Sequence, residues 1–187
     1  MSNQSIFALA VLALTVFWAV GAYNRLMRLK NAIAEAFMAI DLPFKDRHDI
    51  LLKLIEAVGE YLQHDRAMLA GLMQARNVVS SANDTVRARP GAHSAVRALM
   101  AAEKKLQEQL DALWLAASDI LALQADLRVR ELVQQLAQSQ GQLAFSCQAF
   151  NNCVSNFNAA RGQFPPLLVA RLFGLQPALK LSFGAEA

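Results

Sequence analysis

The 187-residue sequence has only two cysteines, five prolines and eight glycines, and only 18% of its residues are charged. Two cysteines cannot form the framework that staples small secreted domains. So few prolines and glycines exclude a collagen-like or linker-dominated chain, and the apolar content excludes a disordered polyelectrolyte. Cys147 and Cys153 are six apart in a segment of helical pattern, which turns their side chains about 240° from each other at ~100° per residue. They cannot bond to each other within one helix, and they read as ordinary small apolar residues.

Chemistry-bearing motifs are equally scarce. The three histidines, His48, His64 and His93, fall in no HExxH, His-x3-His or Cys-x2-Cys spacing, so no metal or catalytic residue is expected. The adjacent His48 and Asp49 read as a helix-terminus pair. Neither a GxxxxGK[ST] loop nor a GxGxxG turn occurs, which leaves no cofactor expected. Basic residues exceed acidic ones by 18 − 15 = 3 and are dispersed. Arg87, Arg89 and Arg97 cluster without interleaved aromatics, which speaks against a nucleic-acid partner.

What the sequence does have is apolar residues, 55% of the total, with a mean hydropathy of +0.26. Seventeen of them form the uncharged run Ile6 to Ala22, in which Thr15 is the only clearly polar side chain. At ~1.5 Å per residue the run covers ~26 Å, and extension to Tyr23 makes it adequate for a hydrocarbon core of ~30 Å. Trp18 and Tyr23 lie toward one end, where amphipathic rings favour the interface, and Arg25, Arg28 and Lys30 follow. Met1 to Ser5 contains no Lys or Arg, which favours a retained anchor over a cleaved signal. The positive-inside rule then places a short N-terminus outside and the rest of the chain in the cytoplasm.

Beyond Tyr23 the apolar spacing is helical almost throughout. Leu26, Leu29, Ile33, Phe37 and Ile40 form a stripe that continues the anchor helix, and Pro43 is expected to end or kink it near Asp41. Asp46 or Asp49 would cap a second helix carrying Ile50 to Val79, fading at Ser80 into a loop that reaches Gly91. A third helix carries Val96, Leu99, Leu106, Leu110, Leu113 and Ile120, with Glu103 and its charged neighbours mostly on the other face. Ser118-Asp119 interrupts the pattern, and a last stripe from Leu127 to Phe164 ends at Pro165-Pro166. No alternating strand pattern competes. The reading is all-α: a single N-terminal transmembrane helix continuing into an antiparallel bundle of about four helices. Its parts are an anchor (1–23), the bundle (24–164) and an apolar C-terminal tail (165–187) that either folds back on the bundle or lies on the membrane surface.

Asparagine in the last helix is the chemically unusual feature. Phe150-Asn151 and Phe157-Asn158 recur at seven residues, so both return to nearly the same face, and a buried amide must find a partner. A structural polar layer of Asn24, Asn151 and Asn158, with Tyr23 and Arg25, is the expectation. It would specify helix register or face another subunit.

Tyr23-Asn24-Arg25-Leu26, Leu29-Lys30-Asn31, Ile40-Asp41 and Arg47-His48-Asp49 resemble the N-terminal signature of the bacterial LemA family. Phe150-Asn151, Phe157-Asn158, Phe164-Pro165 and Leu172-Phe173-Gly174 are similar to its C-terminal stretch, where two Tyr-Asn pairs precede a Phe-Pro stop. The resemblance covers nearly the whole chain and is weakest from Ala70 to Leu115. It implies one N-terminal transmembrane segment, a helical bundle and no established enzymatic activity, and so no catalytic residues. Phe150 and Phe157 replace tyrosines, and Leu52 stands where the family commonly has proline. An unrelated sensor kinase shares the family name, and no kinase motif occurs here. The expected function is a non-enzymatic scaffold or interaction module whose partners are the lipid bilayer and either a membrane protein or further copies of itself. The alternatives are a self-assembling protein that organises or curves the membrane, and a hydrolase built on His48, His64 and acidic residues.

Overall fold

The computed structural model describes residues 3–62 and 65–182. His64 and residues 183–187 of the expected tail lie outside that range. Six helices follow one another: α1 (Asn3–Gly59), α2 (Arg66–Ala88), α3 (His93–Ala117), α4 (Leu121–Ala125), α5 (Leu127–Gly162) and α6 (Pro166–Leu172). No strand occurs among the described residues, and the all-α reading holds.

The four long helices form two antiparallel pairs, of which only α2 and α3 are joined by a short turn. α1 packs along α5, α2 packs along α3, and α1 joins the two by meeting α2. Each contributes its stripe to one core: Leu26, Ile33, Phe37, Ile40 and Phe44 from α1, Leu72, Val79 and Val86 from α2, Leu99, Leu106 and Leu110 from α3, and Leu143, Phe150 and Phe157 from α5. At roughly 1.5–3 kcal/mol per large apolar side chain buried, these stripes supply the driving force that propensity alone does not. Leu127 and Phe164, at the limits of the last expected stripe, are exposed.

Three boundaries differ from expectation. Pro43 does not end α1, which continues to Gly59, so Asp46 and Asp49 are interior residues and not caps. Proline removes one backbone bond, and the carbonyl it frees, that of Ala39, belongs to an exposed residue. Phe37, Ile40, Phe44 and Leu51 bury on both sides of the proline and outweigh the loss, while Ser139 donates its hydroxyl to the Pro43 carbonyl at 3.3 Å.

The break comes instead after Gly59, where the Val58 carbonyl accepts from the amides of both Tyr61 and Leu62. The third difference is at Ser80. α2 runs on to Ala88 because Asn83 takes a core position between Val79 and Val86, leaving only Arg89–Ala92 as the turn. Gly91 adopts φ 80° there, and a Cβ would meet that of Ala178 at 3.0 Å. Glycine is required on both counts.

The interruption at Ser118-Asp119 is real. It leads into the short α4, after which the Asp126 carboxylate accepts from the Arg128 amide at 2.8 Å and caps α5.

Candidate membrane interface

The first part of α1 leaves the bundle altogether. Its apolar window has a mean hydropathy of 2.2 and is only 6% buried, so it is long and apolar enough to cross a membrane and unlike the core helix of a soluble domain. Phe7, Leu14 and Phe17 are all exposed. Packing begins at Ala19 and Ala22, and by Leu26 the helix is fully buried on its inner side. Trp18 and Tyr23 therefore mark the level at which α1 enters the bundle. Arg25, Arg28 and Lys30 are exposed immediately beyond it.

The C-terminal segment meets α1 at that same level. The Phe164 ring lies 6.1 Å from Trp18, and the Phe173 ring 4.7 Å from Tyr23. Beyond α6, Gly174 (φ 62°) turns the chain, and residues 175–182 run without helix back along the bundle, burying Leu181.

The asparagines hold this returning segment. Asn151 Nδ2 donates to the Leu181 carbonyl at 2.6 Å, and its Oδ1 accepts from the Leu181 amide at 2.8 Å. Asn158 makes the same pair of bonds to Ala178, at 2.8 and 2.9 Å. The spacing explains the pattern: seven residues of helix rise ~10.5 Å, and three residues of extended chain span about the same. The two amides thus read an antiparallel peptide in register. The neighbouring Phe150 and Phe157 are turned into the core, Phe150 edge-on to Phe37 at 5.9 Å. Arg161 Nε adds a bond to the Leu175 carbonyl at 2.6 Å, and the Leu179 amide donates to the Gly91 carbonyl at 3.2 Å, tying the segment to the α2–α3 turn.

Charge is sorted along the molecule. Residues 1–34 and 132–185 contain Arg25, Arg28, Lys30, Arg161, Arg171 and Lys180 and not one Asp or Glu. All fifteen carboxylates lie elsewhere, fourteen of them between Glu35 and Glu131. The modest overall excess of +3 conceals two stretches of sequence whose only charges are basic.

The middle of the bundle holds a second polar group. Arg47 Nη1 meets Glu103 Oε2 at 2.6 Å with both side chains buried, linking α1 to α3 across the two helix pairs. Glu103 is thus a core residue, contrary to its expected exposed face. It is recognisable only by its position four residues after Leu99 and three before Leu106. His48 is buried beside Phe44. Burial, then the charges of Arg76 and Arg47, push its pKa down to about 4. Cys147 is pushed up to about 12 by burial and by Glu103. A histidine held neutral and a thiol held protonated are a poor base and a poor nucleophile at neutral pH. Nearby, Asp41 accepts from both Lys45 and Arg87. Burial alone would raise its pKa, but these partners outweigh it and hold the carboxyl below its ordinary value.

The expected polar layer is therefore divided. Asn151 and Asn158 act together on the tail and not between helices, whereas Asn24 and Arg25 are exposed on α1 and Tyr23 is half-buried against Phe173. The Arg47-His48 signature turns inward and supports the core. His93 is exposed at the start of α3, well separated along the bundle from His48. Among the described residues no group of three His, Cys, Asp or Glu side chains could hold a metal ion.

Residues 36–187 match the model of the LemA family. The match begins inside α1 and takes in the rest of the bundle and the tail. None of the curated proteins matches the sequence.

Proposed function

This chain belongs to the LemA family, and we propose that it is a single-pass, membrane-anchored and non-enzymatic helical bundle that serves as a scaffold or interaction module at the inner face of the bacterial plasma membrane. The observation that carries the reading is α1 itself, one helix whose first part is apolar and exposed and whose remainder is packed. A buried bundle helix would hide those residues. A cleaved signal would not continue unbroken into the core stripe that begins at Leu26. The exposed Arg25, Arg28 and Lys30 favour a cytoplasmic bundle with the N-terminus outside. Anchoring raises the local concentration of the bundle near membrane partners.

Topology reporters fused to the C-terminus test this reading. Activity only of the cytoplasmic reporter is expected. Replacing Arg25, Arg28 and Lys30 by glutamate and adding lysines before Ile6 should invert the result, and a cytoplasmic signal that survives that change would refute the assignment.

A second reading, self-association, draws on an apolar groove between α1 and α5 formed by Met38, Leu42 and Phe145, all three exposed. It does not draw on Asn151 and Asn158, whose amides are engaged by the tail. Crosslinking in native membranes tests it: copies joined through Phe145→Cys support assembly, and a uniform monomer at high concentration opposes it. A hydrolase built on His48 has no support in the burial and low basicity of that side chain.

A further inference from the structure

We infer that α6 and the turn before it form a second membrane contact, an apolar and basic foot that seats in the anionic lipid interface beside the anchor. The inference rests on the proposal that the first part of α1 spans the bilayer. Phe164, Leu168, Leu172 and Phe173 are exposed, with Leu172 at 81% and Phe164 at 77%, on a segment whose other side is buried through Val169 and Ala170. The segment is therefore firmly seated on the bundle with its largest apolar side chains turned away from it.

The ring contacts fix the depth of that face. Trp18 belongs to the apolar run of α1 and lies five residues, ~7.5 Å of helix, on the bilayer side of Tyr23. Phe164 touches Trp18, and Phe173 touches Tyr23. Whatever depth those two rings occupy, the foot shares it.

Charge identifies the occupant. Arg171 lies within α6 and is exposed beside Leu172, and Lys180 is exposed farther along the returning segment. No carboxylate occurs between residues 132 and 185 to compete for them. Apolar side chains beside an exposed cation suit an anionic headgroup layer, in which the rings enter the acyl boundary and the cation meets phosphates. The far end of the bundle makes the contrast: Leu115, Leu121 and Leu127 are also exposed there, but among charges of both signs, Asp119, Asp126, Arg128, Arg130 and Glu131.

The test uses the full chain reconstituted at one copy per nanodisc, in phosphatidylcholine with or without phosphatidylglycerol. An environment-sensitive fluorophore is placed by Leu172→Cys, Leu115→Cys or Leu12→Cys in a Cys153→Ala background, with Leu168→Cys as a second foot position. Lipid-borne quenchers at the acyl boundary should quench positions 172 and 168 several-fold more than position 115, with blue-shifted emission. Combined Arg171→Glu and Lys180→Glu, or omission of phosphatidylglycerol, should reduce that quenching.

If position 12 is quenched while positions 172 and 168 behave like 115, the foot is refuted and the anchor stands. If position 12 is not quenched, the anchor fails and the foot with it. Blue-shifted emission at the foot without quenching would mean that protein covers the face, which would overturn the lipid assignment. Equal quenching in both lipids and in the charge-reversed variant would overturn the anionic preference.

Discussion

The two ends of the bundle are closed by different chemistry. At the end where the apolar part of α1 emerges, a peptide segment is stitched down by neutral amides, Asn151 on Leu181 and Asn158 on Ala178, over a buried leucine. At the distal end the closure is ionic: Tyr61 donates to Asp126 at 2.9 Å, and Arg128 reaches Glu60 at 3.1 Å and Asp126 at 3.2 Å. Arg128 and Glu60 are both about three-fifths exposed. Exposed pairs are worth little and are screened by salt, whereas part-buried amide bonds keep their value. The two closures therefore differ in their sensitivity to salt, and the ionic end is expected to yield first.

The largest effect should come from between the ends and erase the contrast. Arg47→Ala or Glu103→Ala leaves one buried charge without its partner, at a cost of ~3–5 kcal/mol. Chemical denaturation followed by circular dichroism should show the whole bundle weakened and not one end alone. Acidification should work in the same region. His48 titrates near 4 when folded and at its ordinary 6.5 when unfolded, so its contribution is complete above 6.5 and is lost as pH falls from 6.5 toward 4. The loss amounts to about 3 kcal/mol. His48→Leu should flatten stability across that window, and an unchanged slope would exclude His48 as the cause.

A smaller effect sharpens the comparison. Asn158→Ala strands the backbone amide and carbonyl of Ala178 and should cost ~1–3 kcal/mol. Hydrogen exchange should then accelerate over residues 175–181 while α2 and α3 stay protected. The smallest effect is expected from Glu60→Ala, below ~1 kcal/mol and absent at high salt. Thermal melts at low and high ionic strength check it, and a large, salt-independent loss would mean that the two ends are not built differently.

Much of this architecture was legible in the sequence because it depends on periodicity. The core stripe from Leu26 to Ile40 and the stop before Pro165-Pro166 follow from spacing and from proline chemistry. The errors have local causes. Pro43 was outweighed by the apolar residues on both sides of it. The turn after Gly59 was hidden because Tyr61, Leu62 and Met68 resume in helical phase. Asn83 was read as loop and Glu103 as surface because their partners, Asp41 and Arg47, lie 42 and 56 residues away. The pairing of Asn151 and Asn158 with one another was visible in their spacing. Their partner was not, since the tail presents only backbone to them and any sequence supplies that.

Cysteine-accessibility scanning along α1 in native membranes tests the account most directly, with a membrane-impermeant maleimide, in a Cys153→Ala background and with each side of the membrane opened in turn. The account predicts no labelling through the apolar run from Ile6 to Val20. Beyond Tyr23 it predicts labelling from the cytoplasmic side only, with a helical rhythm in which Asn24, Arg28 and Glu35 react and Leu26, Ile33 and Phe37 do not. Labelling within the apolar run, or reactivity of the bundle positions from the outer side, would contradict it.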